Sequence, residues 1–310
     1  MAGNRLTSFR DFPQSDFKPG QPGFLFVLSS FRTLVIAAGF LIPVTTLRSQ
    51  LPPDLAMERS GYVIWLKEGP NSPLSAVAQQ KVREGLRLGP ADADIPLPGV
   101  GEYRIYLSGS GLVLEGPDGK RPVGRGAPHR IGKYSLYFTG PQPGTILTVF
   151  SDTARNEPPG YYDYDRSMMF TGPLVRSKTA APMRVLASDG IEVEATEVGS
   201  FVVPLGGGTS LRVLRIPVAS GDESELEIFF RDASNGDGTY PAGRFVSLHP
   251  LPNGLFRLDL NRARNPFCAY SSVYPCPVPW RGNTISVAVR AGERYQGGGL
   301  EAVPAPQEAK

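Results

Sequence analysis

The chain has 310 residues, 41% of them apolar and 20% charged, with a net charge of +3. That is apolar material for one large or two modest domains. Lys and Arg are dispersed and form no basic stripe of the kind nucleic-acid binding needs, so no nucleic-acid partner is expected. His129 and His249 are the only histidines and Cys268 and Cys276 the only cysteines. This thins the options for His-based catalysis and disfavours a four-ligand zinc site, and no metal and no cofactor are expected.

Residues 1–50 form the first unit. Within it, residues 24–47 (FLFVLSSFRTLVIAAGFLIPVTTL) are the one apolar stretch of membrane length; a helix crosses a bilayer with about 20 residues. Arg32 interrupts the run, and an arginine at mid-membrane costs about 2.5–3.5 kcal/mol. The remainder, Thr33 to Leu47, has the length of a signal-peptide core. Arg5, Arg10, Lys18 and Arg32 precede it and favour an inside N-terminus. The segment therefore reads as a signal or membrane anchor, with the body in the cell envelope outside the cytoplasm. A buried helix of a soluble body is the alternative.

Residues 51–60 (LPPDLAMERS) read as a linker. Tyr62 to Leu66 suggests a strand, and Leu74 to Gly85 a helix, since Leu74, Val77, Ala78 and Val82 share a face and Gly85 can terminate it. The pattern then turns to short β-rich runs at Tyr103–Leu107, Leu112–Glu115, Tyr134–Phe138 and Thr145–Phe150, separated by Gly, Pro and Asp. Asp189-Gly190 lies between two apolar runs and predicts a hairpin with a type I′ turn. Asn253-Gly254 predicts a second, between Arg244–Leu248 and Leu255–Leu260. Further strands are expected at Phe201–Leu205, Leu211–Val218, Glu225–Phe230 and Thr284–Arg290. The expectation is a mainly β protein with two packed β lobes, sandwich or barrel-like, over residues 61–155 and 156–296. An N-terminal hydrophobic helix precedes them, other helices are few, and a disordered tail covers 297–310.

The C-terminal lobe carries distinctive motifs. Phe230-Arg231-Asp232-Ala233-Ser234 is followed by Gly236, Thr239, Tyr240, Gly243 and Arg244. Asn261, Ala263, Asn265-Pro266 and Cys268-Ala269-Tyr270 come next, then Cys276-Pro277 with Pro279, and Ala291-Gly292-Glu293. Together with the aromatic run at Tyr161 to Asp165 and Trp65-Leu66 with Asn71, they resemble the prokaryotic family known as domain of unknown function 1684. The resemblance is strongest over 225–295. It implies boundaries and candidate residues but no reaction.

Cys268 and Cys276 are eight positions apart; in an exported protein this suggests a disulfide, with two buried thiols as the alternative. Asp232 to Asp237 departs from a calcium loop in the place of its Gly and lacks the bidentate Glu, so a turn held by Asp and Asn side chains is the better reading. Arg231 and Arg244 flank this loop, with Tyr240 between. They would clamp a carboxylate or phosphate, or else belong to an internal ion-pair network. If the Asn253-Gly254 hairpin forms, Arg244 lies opposite Leu260 or Asn261. The candidate ligand-binding set is then Arg231, Asp232, Tyr240, Arg244, Asn261 and Asn265, expected as one polar cluster open to solvent. No G-x-S-x-G elbow is present. The leading expectation is a non-catalytic binding domain for a small anionic ligand or an envelope protein. The alternatives are a hydrolase-type enzyme using Arg231, Asp232, Tyr240 and Arg244, and an accessory subunit of a membrane complex.

Overall fold

The computed structural model describes residues 50–109, 111–140, 144–153, 157–217, 224–280 and 282–295. The apolar run 24–47 and the tail 297–310 lie outside them. Among the described residues no helix is long and apolar enough to cross a membrane.

The first element is a helix, α1 (Pro53–Glu68), where the sequence suggests a linker and a strand. Pro53 suits the first helical position because the amide it lacks has no partner there. Asp54 in the first turn and Lys67 in the last complement the helix dipole. Leu55, Tyr62 and Leu66 are its buried residues, and their spacing is that of one helical face. The apolar run Tyr62–Leu66 looks strand-like only when read without the residues before it.

The helix expected over 74–85 is absent. A single 3-10 turn, Pro73–Ser75, leads into β1 (Ala76–Lys81). Pairing with another strand outweighs the helical spacing here. The N-terminal lobe continues with β2 (Leu86–Gly89), β3 (Ile95–Pro96), β4 (Tyr103–Ser108), β5 (Gly111–Gly116) and β6 (Gly119–Val123). Then follow β7 (Pro128–Ile131), β8 (Tyr134–Thr139) and β9 (Ile146–Phe150). They form two sheets, β1-β9-β8-β7 and β3-β2-β4-β5-β6. Leu88, Ile105, Leu114, Leu136, Phe138 and Val149 pack between them in one apolar core.

The C-terminal lobe contains β10 (Met169–Gly172), β11 (Leu174–Arg176), β12 (Pro182–Leu186), β13 (Glu192–Val203) and β14 (Thr209–Pro217). It continues with β15 (Ser224–Asp232), β16 (Arg244–Pro250), β17 (Phe256–Asp259) and β18 (Thr284–Ile285). Seven of these run in the order β10-β17-β16-β15-β14-β13-β11. The two end strands, β10 and β11, are separated in the chain only by Pro173, so the sheet nearly closes into a barrel. Proline lacks the amide a continuous strand would need, which accounts for the break. Phe201, Val203, Leu211, Val213, Ile228, Phe230, Val246, Leu248 and Leu258 fill the inside. The alternate residues Phe229 and Phe245 lie on the outer face, stacked at 4.2 Å, with Trp280 against Phe229.

Both predicted hairpins form, β12–β13 and β16–β17. The first turn is not type I′: Gly190 has positive φ and Asp189 does not. Asp189 instead accepts the Ile191 amide through its side chain. The strand expected over 284–290 is only two residues long and runs parallel to β15.

Candidate functional site

The six polar residues singled out in the sequence gather around one end of the barrel, but not as one open cluster. Strand alternation divides them first. Phe230 and Arg244 are register partners on β15 and β16. Asp232, two residues after Phe230, shares its inward side. Arg231 lies on the opposite side and is half-buried. The two arginines therefore do not form a clamp.

Arg244 enters the barrel end and is 0% exposed. Its Nη2 donates to Asp232 Oδ2 at 2.9 Å and to the Val289 carbonyl at 2.8 Å. Its Nη1 donates to the carbonyls of Ala291 and Glu293. The guanidinium lies over the Phe230 ring, 5.4 Å from its centroid. Burial pulls Arg244 below its ordinary pKa, and the Asp232 carboxylate opposes that. Asp232 in turn accepts from the Ser234 amide and hydroxyl and from the Val289 amide. Asn235 accepts the Asp232 amide and donates to the Tyr240 carbonyl. The loop is thus the side-chain-held turn expected from its Asp and Asn content. Gly243, just before Arg244, has φ +109°, and a Cβ there would lie 2.5 Å from the Phe230 carbonyl oxygen. Only glycine fits.

Tyr240 packs elsewhere. Its hydroxyl lies 3.4 Å from Cys268 Sγ and 3.3 Å from Cys276 Sγ, and burial raises its pKa to about 12, with Tyr295 adding to the shift. Cys268 and Cys276 are joined in a disulfide with their Cα atoms 5.5 Å apart.

Asn261 and Asn265 are 0% and 1% exposed. Arg244 does not lie opposite Asn261, because the 3-10 turn Leu260–Arg262 lengthens the hairpin and pairing resumes as Phe245 with Arg264. Asn261 bonds the Asp165 amide and carbonyl at 2.9 and 2.8 Å. Asn265 donates its amide to Glu293 Oε2 at 2.7 Å. The expected solvent-open mouth is therefore closed by the 289–293 segment. The polar groups there turn inward because barrel strands end where the backbone of that segment needs hydrogen-bond partners.

Glu293 is the residue whose role the sequence does not reveal. It is 0% exposed and also accepts from the Tyr270 hydroxyl at 2.7 Å and the Tyr161 hydroxyl at 3.4 Å. Burial raises its pKa; Tyr270, the Asn265 amide and nearby Arg264 pull it back. Burial likewise raises Tyr161, Tyr270 and Tyr62, with Glu293 adding to each. Gly292 before it has φ +76°, and a Cβ would meet the Ala263 and Leu260 carbonyls at 2.5 and 2.9 Å. Gly292-Glu293 is a visible motif, but its partners Tyr161 and Tyr62 lie far upstream in the chain.

Helix α1 covers this centre. Tyr62 and Tyr270 hydroxyls meet at 3.3 Å. Arg264 lies over the Tyr62 ring at 4.3 Å and pairs with Glu58. Arg59 lies over the Tyr161 ring at 4.5 Å.

The arrangement coincides with a known sequence family. Residues 159–294 match the description "protein of unknown function (DUF1684)". The chain belongs to this family. A solution NMR structure of an uncharacterised protein of Haloarcula marismortui is similar at 31% identity, over 44% of this chain and 75% of that one, with a TM-score of 0.37. No curated protein matches. The DUF1684 domain begins just before Tyr161 and ends just after Glu293, so both strands of the Tyr161–Glu293 bridge fall at its limits.

Proposed function

We propose that the protein is an exported, membrane-tethered DUF1684 domain that acts by binding a protein partner. The observation that carries the binding reading is the sealed Arg244–Asp232 pair, with both side chains 0% exposed. The two Nη groups of Arg244 and the Asp232 carboxylate bond each other, Ser234 and the backbone at Val289, Ala291 and Glu293. That leaves this pair neither as a clamp for a small anion nor as a source of a carboxylate open to a hydrolytic reaction. A protein surface, including that of a membrane complex, suits the closed barrel better. The compartment reading draws on the Cys268–Cys276 disulfide, a bond that persists mainly in oxidising compartments, and on the basic lead before residues 24–47.

Two measurements test this. A C-terminal reporter that matures only after export is expected to be active; activity of a cytoplasmic reporter alone would refute the compartment. Photo-cross-linking side chains scanned over exposed barrel positions such as Val175 and Val202 are expected to give one discrete heterologous adduct in intact cells. A full scan without such an adduct would refute the binding role.

A further inference from the structure

The contact between α1 and the barrel is reciprocal in its chemistry. The domain places the Arg264 guanidinium over Tyr62 of the helix. The helix places the Arg59 guanidinium over Tyr161 of the domain. Glu58, beside Arg59, pairs with Arg262 and Arg264.

The Arg59 side of this exchange has the form of a ligand in a socket. Nη2 donates to the Asn261 carbonyl at 3.0 Å and Nη1 to the Tyr162 carbonyl at 3.3 Å. The Tyr161 ring closes one face; burial pulls Arg59 below its ordinary pKa, and Tyr161, Asp259, Glu293 and Asp163 oppose that. Every one of these groups belongs to the DUF1684 domain. The two carbonyls and the Tyr161 ring are held by bonds in which Arg59 takes no part. Asn261 is fixed through its side chain to Asp165, the Tyr162 amide donates to the Gly292 carbonyl at 2.9 Å, and Tyr161 bridges Glu293. The socket is therefore built without its occupant. Two carbonyls and an aromatic face suit a planar fork of N–H donors, whereas an ammonium ion is a compact, strongly hydrated point charge.

We propose that the DUF1684 domain carries a preformed guanidinium-binding socket made by Tyr161, the carbonyls of Tyr162 and Asn261, and the surrounding carboxylates, filled in cis by Arg59 of α1. The ligand class is an alkylguanidinium such as an arginine side chain, and α1 is its tethered occupant. This inference does not depend on the compartment or on the binding of a protein partner.

Chemical rescue of the full chain tests it, with ethylguanidinium as the probe. Arg59→Ala is expected to melt lower than wild type and to recover most of that loss in a saturable way as the probe is added. Ethylammonium is expected to restore less. Wild type, its socket filled, should show only the shallow linear decline that guanidinium salts produce, and Arg59→Ala combined with Tyr161→Leu should show no recovery. A linear decline for Arg59→Ala, or equal recovery in the double variant, overturns the proposal. If Arg59→Ala does not fold, Arg59→Gln keeps the stem packed and is refolded with and without the probe. Folding that improves saturably with the probe supports the socket, and folding indifferent to it refutes it.

Discussion

The two lobes place their charges in opposite ways. In the N-terminal lobe the core between the sheets is apolar, and ion pairs such as Arg83–Asp94, Arg87–Asp92 and Arg121–Asp118 lie at the surface. In the barrel, Arg244, Asp232, Asn261, Asn265 and Glu293 are inside. A two-sheet sandwich satisfies its backbone by strand pairing and leaves only side chains to bury. A barrel must also close its ends. Here the irregular 289–293 segment does so, and its carbonyls and amides need fixed partners where water is excluded. Buried charge in the barrel follows from that geometry.

The largest expected effect tests this contrast directly. Arg244→Ala leaves the Asp232 carboxylate buried without its charge partner and the Ala291 and Glu293 carbonyls without the Arg244 donors. Removing one partner of a buried pair costs about 3–5 kcal/mol, and chemical denaturation of the full chain is expected to show a loss of that order. A loss near zero would mean that the barrel end admits water and that its charges are not structural.

The disulfide comes next. It clips residues 268–276 beside Tyr240, Phe267 and Tyr274, in the aromatic cluster that also holds Tyr62, Leu66, Tyr137 and Phe150. That cluster joins α1, the N-terminal sheets and the barrel. A loop of this size contributes about 2–3 kcal/mol by the chain-entropy model. Reduction, or Cys268→Ser with Cys276→Ser, is expected to lower stability by about that amount. Loss of hydrogen-exchange protection should concentrate in α1 and the 268–276 loop. Uniform loss across both lobes would show that the disulfide supports the whole fold and not this local clip.

The β class, the two hairpins and the disulfide were legible because each is a local signal: short apolar runs, Asp-Gly and Asn-Gly, and two cysteines in one loop. The polar cluster was legible as composition but not as geometry. Alternation along Phe230-Arg231-Asp232 already separates Arg231 from Asp232, whereas the inserted turn at Leu260–Arg262 that displaces Asn261 leaves no periodic trace. Helix α1 was obscured because its buried residues, Leu55, Tyr62 and Leu66, span both the stretch read as a linker and the stretch read as a strand. Glu293 was obscured because its importance lies in Tyr62, Tyr161 and Tyr270, brought to it only by the closed barrel.

Glu293 supplies a test by pH. Burial is the largest influence and raises its pKa in the folded state. An acid whose folded pKa exceeds its unfolded one contributes stability that is fully present below the unfolded value, about 4.3. That contribution is lost as pH rises through the folded value. The stability of wild type relative to Glu293→Gln is therefore expected to fall as pH rises from about 4, read from urea unfolding at a series of pH values. A difference that grows with pH would mean that Tyr270, Asn265 and Arg264 outweigh burial.

The smallest effect is expected at Arg87, on β2 of the N-terminal lobe. Arg87 pairs with Asp92 at 2.9 Å and Glu102 at 3.1 Å, and Arg104 pairs with the same Glu102 at 2.7 Å. These contacts hold Asp92 and Glu102 below their ordinary pKa values, Asp92 through Arg87 first and Glu102 through Arg104 first. Yet Arg87 and Arg104 are register partners on β2 and β4, and like charges placed directly across a sheet repel. Arg87→Ala removes a solvent-screened attraction and a like-charge opposition together, and it leaves Glu102 with Arg104. The expected urea midpoint is that of wild type at both low and high salt. A clear loss at low salt that salt abolishes would show that the surface pairs do stabilise this lobe, and the contrast with Arg244 would then be one of degree.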